Sequence, residues 1–279
     1  MTSQHPSYEE VLQGRSPRRH SLSVCMICKD EADRIEPALQ SVAGWADEIV
    51  VFDSGSTDGT CDIVRRYTSQ LHRTDWPGFG MQRQRCLDAA LGDWVLVLDA
   101  DERITPELRL EIDDLLAGEP GNIAYQARWQ LWLFGKPLRF AGRFGAPQTR
   151  LYPRASVRFP PLTVHETPVL TTVGVKPLRG RIEHLSFRDY QQLAAKHLEY
   201  GCLLAEGKHR AGKRGSIPLA VLRSGWEFFS QYFLRGLVLE GSRGLLLANV
   251  LAQYAFHKYA ALWALSAVDV AARTERARD

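Results

Sequence analysis

The run Trp94-Val95-Leu96-Val97-Leu98-Asp99-Ala100-Asp101-Glu102 constrains this chain more than any other stretch. Five apolar residues follow Gly92-Asp93 and stop abruptly in acid. A short continuous apolar run between turn signals is the pattern of a strand buried on both faces. Such strands belong to parallel sheets covered by helices, where ligands bind in the crevice outside the carboxyl ends. Asp99 and Asp101 stand at such an end. Two hard carboxylates one residue apart suit a divalent ion that also holds phosphate oxygens, Mg²⁺ or Mn²⁺. The same acids would serve equally as turn and cap residues, since Thr105 is a good N-cap and Pro106 a good first helical residue.

The chain upstream repeats the pattern. Leu22–Ile27 reads as a strand, Asp33–Ala43 as a helix with Ile35, Leu39 and Val42 on one face, and Glu48–Phe52 as a second strand. Ile63–Leu71 continues as a helix, His72–Asp75 as a short strand, Met81–Leu91 as a helix, and Pro106–Ala117 as another. This alternation predicts an α/β fold, a mostly parallel sheet with flanking helices. Three polar clusters fall at successive strand ends: Lys29-Asp30-Glu31, Asp53-Ser54-Gly55-Ser56 and Asp99-Ala100-Asp101. On a parallel sheet they line one crevice. Carboxylates there can accept hydrogen bonds from base N–H groups and ribose hydroxyls. Gly55 and Gly59 allow close backbone approach, and Thr57 or Asp58 can cap the next helix.

Beyond Ala117 the texture changes. Ala124–Phe134 alternates and carries Trp129, Trp132 and Phe134, which either stack a sugar or pack the core. Short strands and loops follow, and Tyr190–Ala205 is helical. From Ile217, the residues Leu222, Trp226, Phe229, Phe233 and Leu237 fall on one helical stripe. A second helix over Gly244–Ala267 is interrupted by Asn249, Gln253, His257 and Lys258, so it does not read as a membrane span.

Charge sharpens the division. The net charge is only +3, but residues 207–279 hold eleven Lys and Arg against five Asp and Glu. A basic tail faces an anionic partner, a membrane surface or a nucleic acid. Basic amphipathic helices suit an anionic membrane surface. No nucleic-acid motif is present, and the tail aromatics lie in helical stripes rather than on a strand platform. The predicted organisation is a flexible N-terminal tail over 1–20, an α/β domain over 21–206, and a basic amphipathic helical region over 207–279. The tail has no apolar signal-peptide core. Cys25 and Cys28 sit three apart on a strand and point to opposite faces, so this C-x-x-C is neither a redox pair nor half a zinc site. A reducing, cytoplasmic setting follows.

In order, the blocks Cys28-Lys29-Asp30-Glu31, Val51–Thr60 (V-F-D-S-G-S-T-D-G-T), Phe79-Gly80-Met81-Gln82-Arg83 and Leu98-Asp99-Ala100-Asp101-Glu102 resemble family 2 glycosyltransferases of the GT-A fold. The resemblance covers roughly residues 21–190. Arg150-Leu151-Tyr152, Val164-His165-Glu166, Glu240–Gly244 and Lys258-Tyr259 are similar to the lipopolysaccharide core β-1,4-glucosyltransferase (WaaE/KdtX-like) subgroup. The resemblance implies inverting, metal-dependent transfer from a UDP-sugar, with glucose the expected sugar. The acceptor it implies is a lipopolysaccharide inner-core glycolipid at the cytoplasmic face of the bacterial inner membrane, with the enzyme bound peripherally.

Residue by residue, it implies that Glu31 and Asp53, with the adjacent Ser54, hold uracil and ribose. Asp99 touches ribose and, with Asp101, the metal; Arg83 faces the nucleotide or its phosphates. Gln84 stands where the family usually has Asn. His184 completes the metal coordination or is a packing residue. Glu166 is the expected general base, with His165 the other candidate, unless the pair is structural. Two other readings share these residues. A polyprenyl-phosphate glycosyltransferase has an anionic acceptor and needs no base, and a scaffold would bind nucleotide sugar or membrane without catalysis.

Overall fold

Three apolar segments, β1 (Leu22–Cys28), β2 (Glu48–Asp53) and β4 (Trp94–Asp99), pair in parallel with the short, more polar β3 (Leu71–Arg73) in the order β3-β2-β1-β4. They belong to a computed structural model that describes residues 17–139, 147–160, 168–187 and 189–276. The helices between them are α1 (Ile35–Gln40), α2 (Thr60–Arg65) and α3 (Phe79–Ala89). Alternation along β1 sends Leu22, Val24, Met26 and Cys28 into one core with Ile35 and Leu39. It sends Cys25 into the other, with Val50, Cys86, Leu87 and Val97. The two cysteines of the C-x-x-C are therefore on opposite faces, and both are free.

One predicted boundary is corrected. The helix expected over Ile63–Leu71 ends at Arg65, and Leu71 opens β3. Thr68 stops it: its hydroxyl donates to the Ile49 carbonyl at 2.7 Å and accepts the Gln70 N–H at 3.0 Å. Such local side-chain bonds compete with the helical ladder.

After β4 come β5 (Glu102–Ile104) and α4 (Pro106–Ala117). Thr105 caps α4, accepting the Leu108 N–H at 3.3 Å, with Pro106 in the first turn. The chain then lays down β6 (Ala124–Leu133), β7 (Lys136–Pro137), β8 (Gln148–Pro153), β9 (Val157–Arg158), β10 (Val169–Leu170) and β11 (Val175–Phe187). β8 runs antiparallel to β4 and β6, and the sheet reads β3-β2-β1-β4-β8-β6-β11-β5. β11 lies antiparallel on β5, with Ile182 opposite Ile104 and His184 opposite Glu102. Gly180 of β11 sits hard against α4: a Cβ there would fall 2.5 Å from the Leu108 Cα.

The described residues of 1–130 and 145–184 form one compact unit, and those of 131–144 and 185–279 form a second. Of the N-terminal tail expected over 1–20, residues 1–16 lie outside the described residues. Arg18 belongs to the first unit, pairing with Asp47 at 3.5 Å and Asp113 at 3.6 Å. The second unit holds α5 (Tyr190–Arg210), α6 (Ile217–Phe229) and α7 (Ser242–Arg276) around Leu133, Leu193, Leu237, Leu247 and Val250. Asp189 caps α5, accepting the Gln192 N–H at 2.7 Å. Among the described residues, no helix is long and apolar enough to cross a membrane.

Candidate active site

Strand register builds the site edge. Cys28 lies beside Asp53, and Ile27 beside Asp99, so the ends of β1, β2 and β4 are level. The chain steps outward from β1 to β2 and β3, then returns across β1 to β4. In open α/β sheets a reversal of this kind marks the carboxyl edge where ligands bind.

Two loops at this edge are stitched together. Asp30 adopts a left-handed backbone (φ +53°), which Asp tolerates better than most residues. Its N–H donates to Ser56 Oγ, and its carboxylate accepts the Thr57 N–H, both at 2.8 Å. The Glu31 N–H donates to Thr60 Oγ1 at 2.8 Å. Asp53 lies under the loop with no exposed surface. Its carboxylate accepts the Gly55 N–H at 3.1 Å, the Ser56 N–H at 3.0 Å and the Ser56 hydroxyl. Burial pushes this carboxyl up, but the Ser56 hydroxyl and the loop N–H groups more than offset it, so its pKa is lowered. The turn needs Gly55, whose φ is +88°. Ser54 is buried too, its Oγ accepting from Gln82 Nε2 at 3.0 Å, while the same amide donates to Thr74 Oγ1 at 2.8 Å.

Charged groups gather beside β4. One Asp99 oxygen accepts from Arg83 Nη2 and the other from Arg150 Nη2, each at 2.9 Å. Arg150, on β8, is buried and also donates to Glu102 Oε1 at 2.6 Å. Fully buried Glu102 accepts the Trp129 indole N–H at 2.7 Å and the Asp99 backbone N–H at 3.0 Å. The Trp129 ring lies 5.7 Å from the Arg150 guanidinium and 4.4 Å from the His184 ring. Burial pushes Asp99 up, but the Arg150 and Arg83 charges hold it well below the usual carboxylate range. Glu102, buried beside Asp99 and sharing Arg150 with it, stays raised.

A second chain of charges crosses the same edge. Asp101 Oδ2 lies 3.5 Å from His184 Nε2 and 3.7 Å from Arg34 Nη1. Arg34 donates from Nε to Glu31 Oε2 at 2.8 Å. His184 arrives here because β11 sets it opposite Glu102. Among the described residues no three His, Cys, Asp or Glu side chains gather to hold a metal ion. Asp101 and His184 alone offer a pair of oxygen and nitrogen donors, 3.5 Å apart. That fits a cation whose remaining ligands are substrate phosphates and water.

Residues 23–128 match the family described as Glycosyl transferase family 2. An uncharacterized glycosyltransferase of Rickettsia bellii (strain RML369-C) is 30% identical over 258 residues, covering 88% of this chain and 87% of that protein. The chain belongs to glycosyl transferase family 2. A second relative is the lipopolysaccharide core biosynthesis glycosyltransferase LpsC of Rhizobium meliloti (strain 1021). It is 28% identical over 241 residues, covering 84% of this chain and 89% of its own. Among solved structures, S. aureus TarS 1-349 in complex with UDP-GlcNAc is similar with a TM-score of 0.45 and 16% identity, covering 88% of this chain and 90% of that one.

In this family 2 glycosyltransferase the carboxyl edge of the sheet carries Glu31, Asp101 and His184 in one chain of charges and Arg83 and Asp99 in another. Asp53 and Ser54 sit beneath the loop they shape. His165 and Glu166 lie outside the described residues. Gln84, where the family usually has Asn, has a tether role: its Oε1 accepts the Phe159 N–H at 2.8 Å. Sequence reasoning gave no role to Arg34, Gln82, Glu102 or Arg150. The available signals were Glu102 closing the acid run and Arg150 opening Arg150-Leu151-Tyr152.

Proposed function

We propose that this family 2 glycosyltransferase moves a sugar from a UDP-sugar, with glucose the first candidate, to a lipopolysaccharide inner-core glycolipid, inverting the anomeric centre. It would work peripherally at the cytoplasmic face of the bacterial inner membrane, in the manner of the WaaE/KdtX-like subgroup. The observation that carries the donor half is the meeting of Asp101 and His184 at 3.5 Å beside an Asp99 already flanked by Arg83. The likeness to LpsC supports the acceptor class.

Asp101 and His184, with Asp99, would hold Mg²⁺ or Mn²⁺. Such an ion, when bound, offsets charge growing on the leaving diphosphate. Arg83 would turn from Asp99 towards the phosphates, and Arg150 would keep the Asp99 carboxylate oriented. Glu31, held by Arg34, would accept from the ribose or uracil. Asp53 and Ser54 would act by holding the loop that receives the nucleoside. The acceptor hydroxyl attacks the anomeric carbon from the face opposite the departing diphosphate. Glu166 would take its proton, with His165 the alternative base.

The experiment is transfer from a panel of UDP-sugars to extracted core glycolipid, with and without EDTA. The expected result is EDTA-sensitive transfer from one preferred donor. Glu166→Gln should lower turnover by about a hundredfold or more while UDP binding persists. Unchanged turnover in that variant would favour a polyprenyl-phosphate acceptor, and full transfer after changing Asp99 and Asp101 to Ala would overturn the donor-site reading.

A further inference from the structure

Arg34 joins the carboxylate proposed for the nucleoside to the carboxylate proposed for the metal. It donates from Nε to Glu31 Oε2 at 2.8 Å, and from Nη2 to the same oxygen. Its third nitrogen, Nη1, lies 3.7 Å from Asp101 Oδ2. A guanidinium allows this, because its donors fan out from one plane. The bridge spans two loops. Arg34 follows the turn after β1, where its own N–H donates to the Glu31 carbonyl at 2.9 Å, and Ile35 beyond it is buried in the core. Asp101 comes from the turn between β4 and β5. All three side chains are mostly covered yet reachable, with Arg34 15% exposed, Asp101 17% and Glu31 21%.

The oxygen that Nη1 faces, Asp101 Oδ2, is also the atom 3.5 Å from His184 Nε2. A divalent cation drawn to Asp101 and His184 would therefore meet the guanidinium across that same oxygen. Two cations on one carboxylate repel, and partly buried charges are screened less than charges in open water. Binding of the metal alone is opposed by the charge already there. A nucleoside diphosphate changes the balance, because its phosphates attract the metal and the guanidinium alike. We propose that Arg34 serves Asp101 as a resident counter-cation in the empty enzyme, so that the divalent ion binds tightly only when a nucleoside diphosphate arrives to draw the guanidinium away. The two ligands then bind cooperatively through one side chain. The inference rests on the donor-site reading and adds to it the residue that makes metal and nucleotide depend on each other.

The test titrates the full chain with Mn²⁺, with and without UDP, and reads the free-ion resonance signal after subtracting the Mn²⁺ that UDP holds in free solution. In the wild type UDP should tighten Mn²⁺ binding by about tenfold or more, and Mn²⁺ should tighten UDP binding by the same factor. Arg34→Gln should bind Mn²⁺ alone about threefold or more tightly than wild type, because the opposing charge is gone. In the same variant the factor linking Mn²⁺ to UDP should fall by about fivefold or more. A merely structural Arg34 would not tighten the binding of any ligand when removed. Arg34→Lys keeps a cation at this place and should leave the binding of Mn²⁺ alone within about twofold of wild type. The inference is overturned if Arg34→Gln binds Mn²⁺ alone no more tightly than wild type, if it keeps the full linkage factor, or if Arg34→Lys behaves as Arg34→Gln does. Arg34→Leu takes the place of Arg34→Gln should the latter not fold, and equal Mn²⁺ affinity with and without UDP in the wild type overturns the inference without any variant. Wild type that takes up no Mn²⁺ even with UDP overturns the donor-site reading as well, whereas linked binding that survives Arg34→Gln overturns the role of Arg34 alone.

Discussion

Arg150→Met is the most informative single change. The side chain is buried and bridges two carboxylates, Asp99 at 2.9 Å and Glu102 at 2.6 Å. Without it Asp99 keeps Arg83, while Glu102 is left with the Trp129 indole and Asp99 backbone N–H groups in place of the guanidinium. Removing one partner of a buried ion pair costs about 3–5 kcal/mol, because the survivor stays desolvated. Arg83 remaining on Asp99 argues for the lower end of that range. A unit of this size loses roughly 2–4 °C per kcal/mol, so a loss of about 3 kcal/mol should lower its melting temperature by roughly 6–12 °C. Glu102→Gln in the same background removes the stranded charge and should restore about half of the loss. Urea and thermal unfolding of wild type, both single variants and the double variant give the cycle. A single Arg150→Met variant within about 0.5 kcal/mol of wild type, or strictly additive singles, would refute the account of this network.

Three further outcomes are expected. Asp101→Asn and His184→Ala should each weaken Mn²⁺ binding in the presence of UDP by about tenfold or more, read from the free-ion resonance signal; unchanged binding would remove them from the donor set. Asp53→Asn should cost about 1–3 kcal/mol at neutral pH, because the loop N–H groups then face an uncharged acceptor. The folded pKa of Asp53 is lowered, so its stabilisation is full above the unfolded value of about 3.9 and disappears as pH falls below it; the gap between variant and wild type in urea midpoint should close on acidification, and a constant gap would count against the charge. Gly180→Ala should cost about 1–3 kcal/mol, since its new carbon would meet the Leu108 Cα at 2.5 Å, and a neutral result would mean that α4 can move away from β11.

The parallel half of the sheet was legible because its strands are apolar runs that stop in turn residues or acid, as Trp94–Asp99 does. The C-x-x-C could be dismissed from alternation alone, and Cys25 and Cys28 do enter different cores. The end of α2 was not legible, because apolar periodicity ran on to Leu71 while two hydrogen bonds of Thr68 closed the helix. Glu31, Asp99 and Asp101 could be placed on the sheet edge from the strand ends, whereas Arg83 was singled out by the family resemblance. Arg150 and Trp129 could not, because they reach Asp99 and Glu102 from β8 and β6, antiparallel strands whose pairing leaves no local pattern. The position of His184 depends on one register, that of β11 on β5. Nor does an acid at a strand end reveal that Gly55 and Ser56 will saturate it, as they do Asp53.

β4 is a seam. It has a parallel neighbour on one side and an antiparallel neighbour on the other, and Asp99 stands at its tip with an arginine from each half. The parallel strands and their helices, Leu22 to Ala117, are one continuous stretch of sequence, which invites recombination with foreign downstream sequence. Arg150 and His184 nevertheless come from that downstream sequence. A chimera joined near Gly118–Gly121 would inherit an unbalanced carboxylate cluster unless the incoming segment brought its own equivalents of both, so the crossover point that topology invites is one that electrostatics polices.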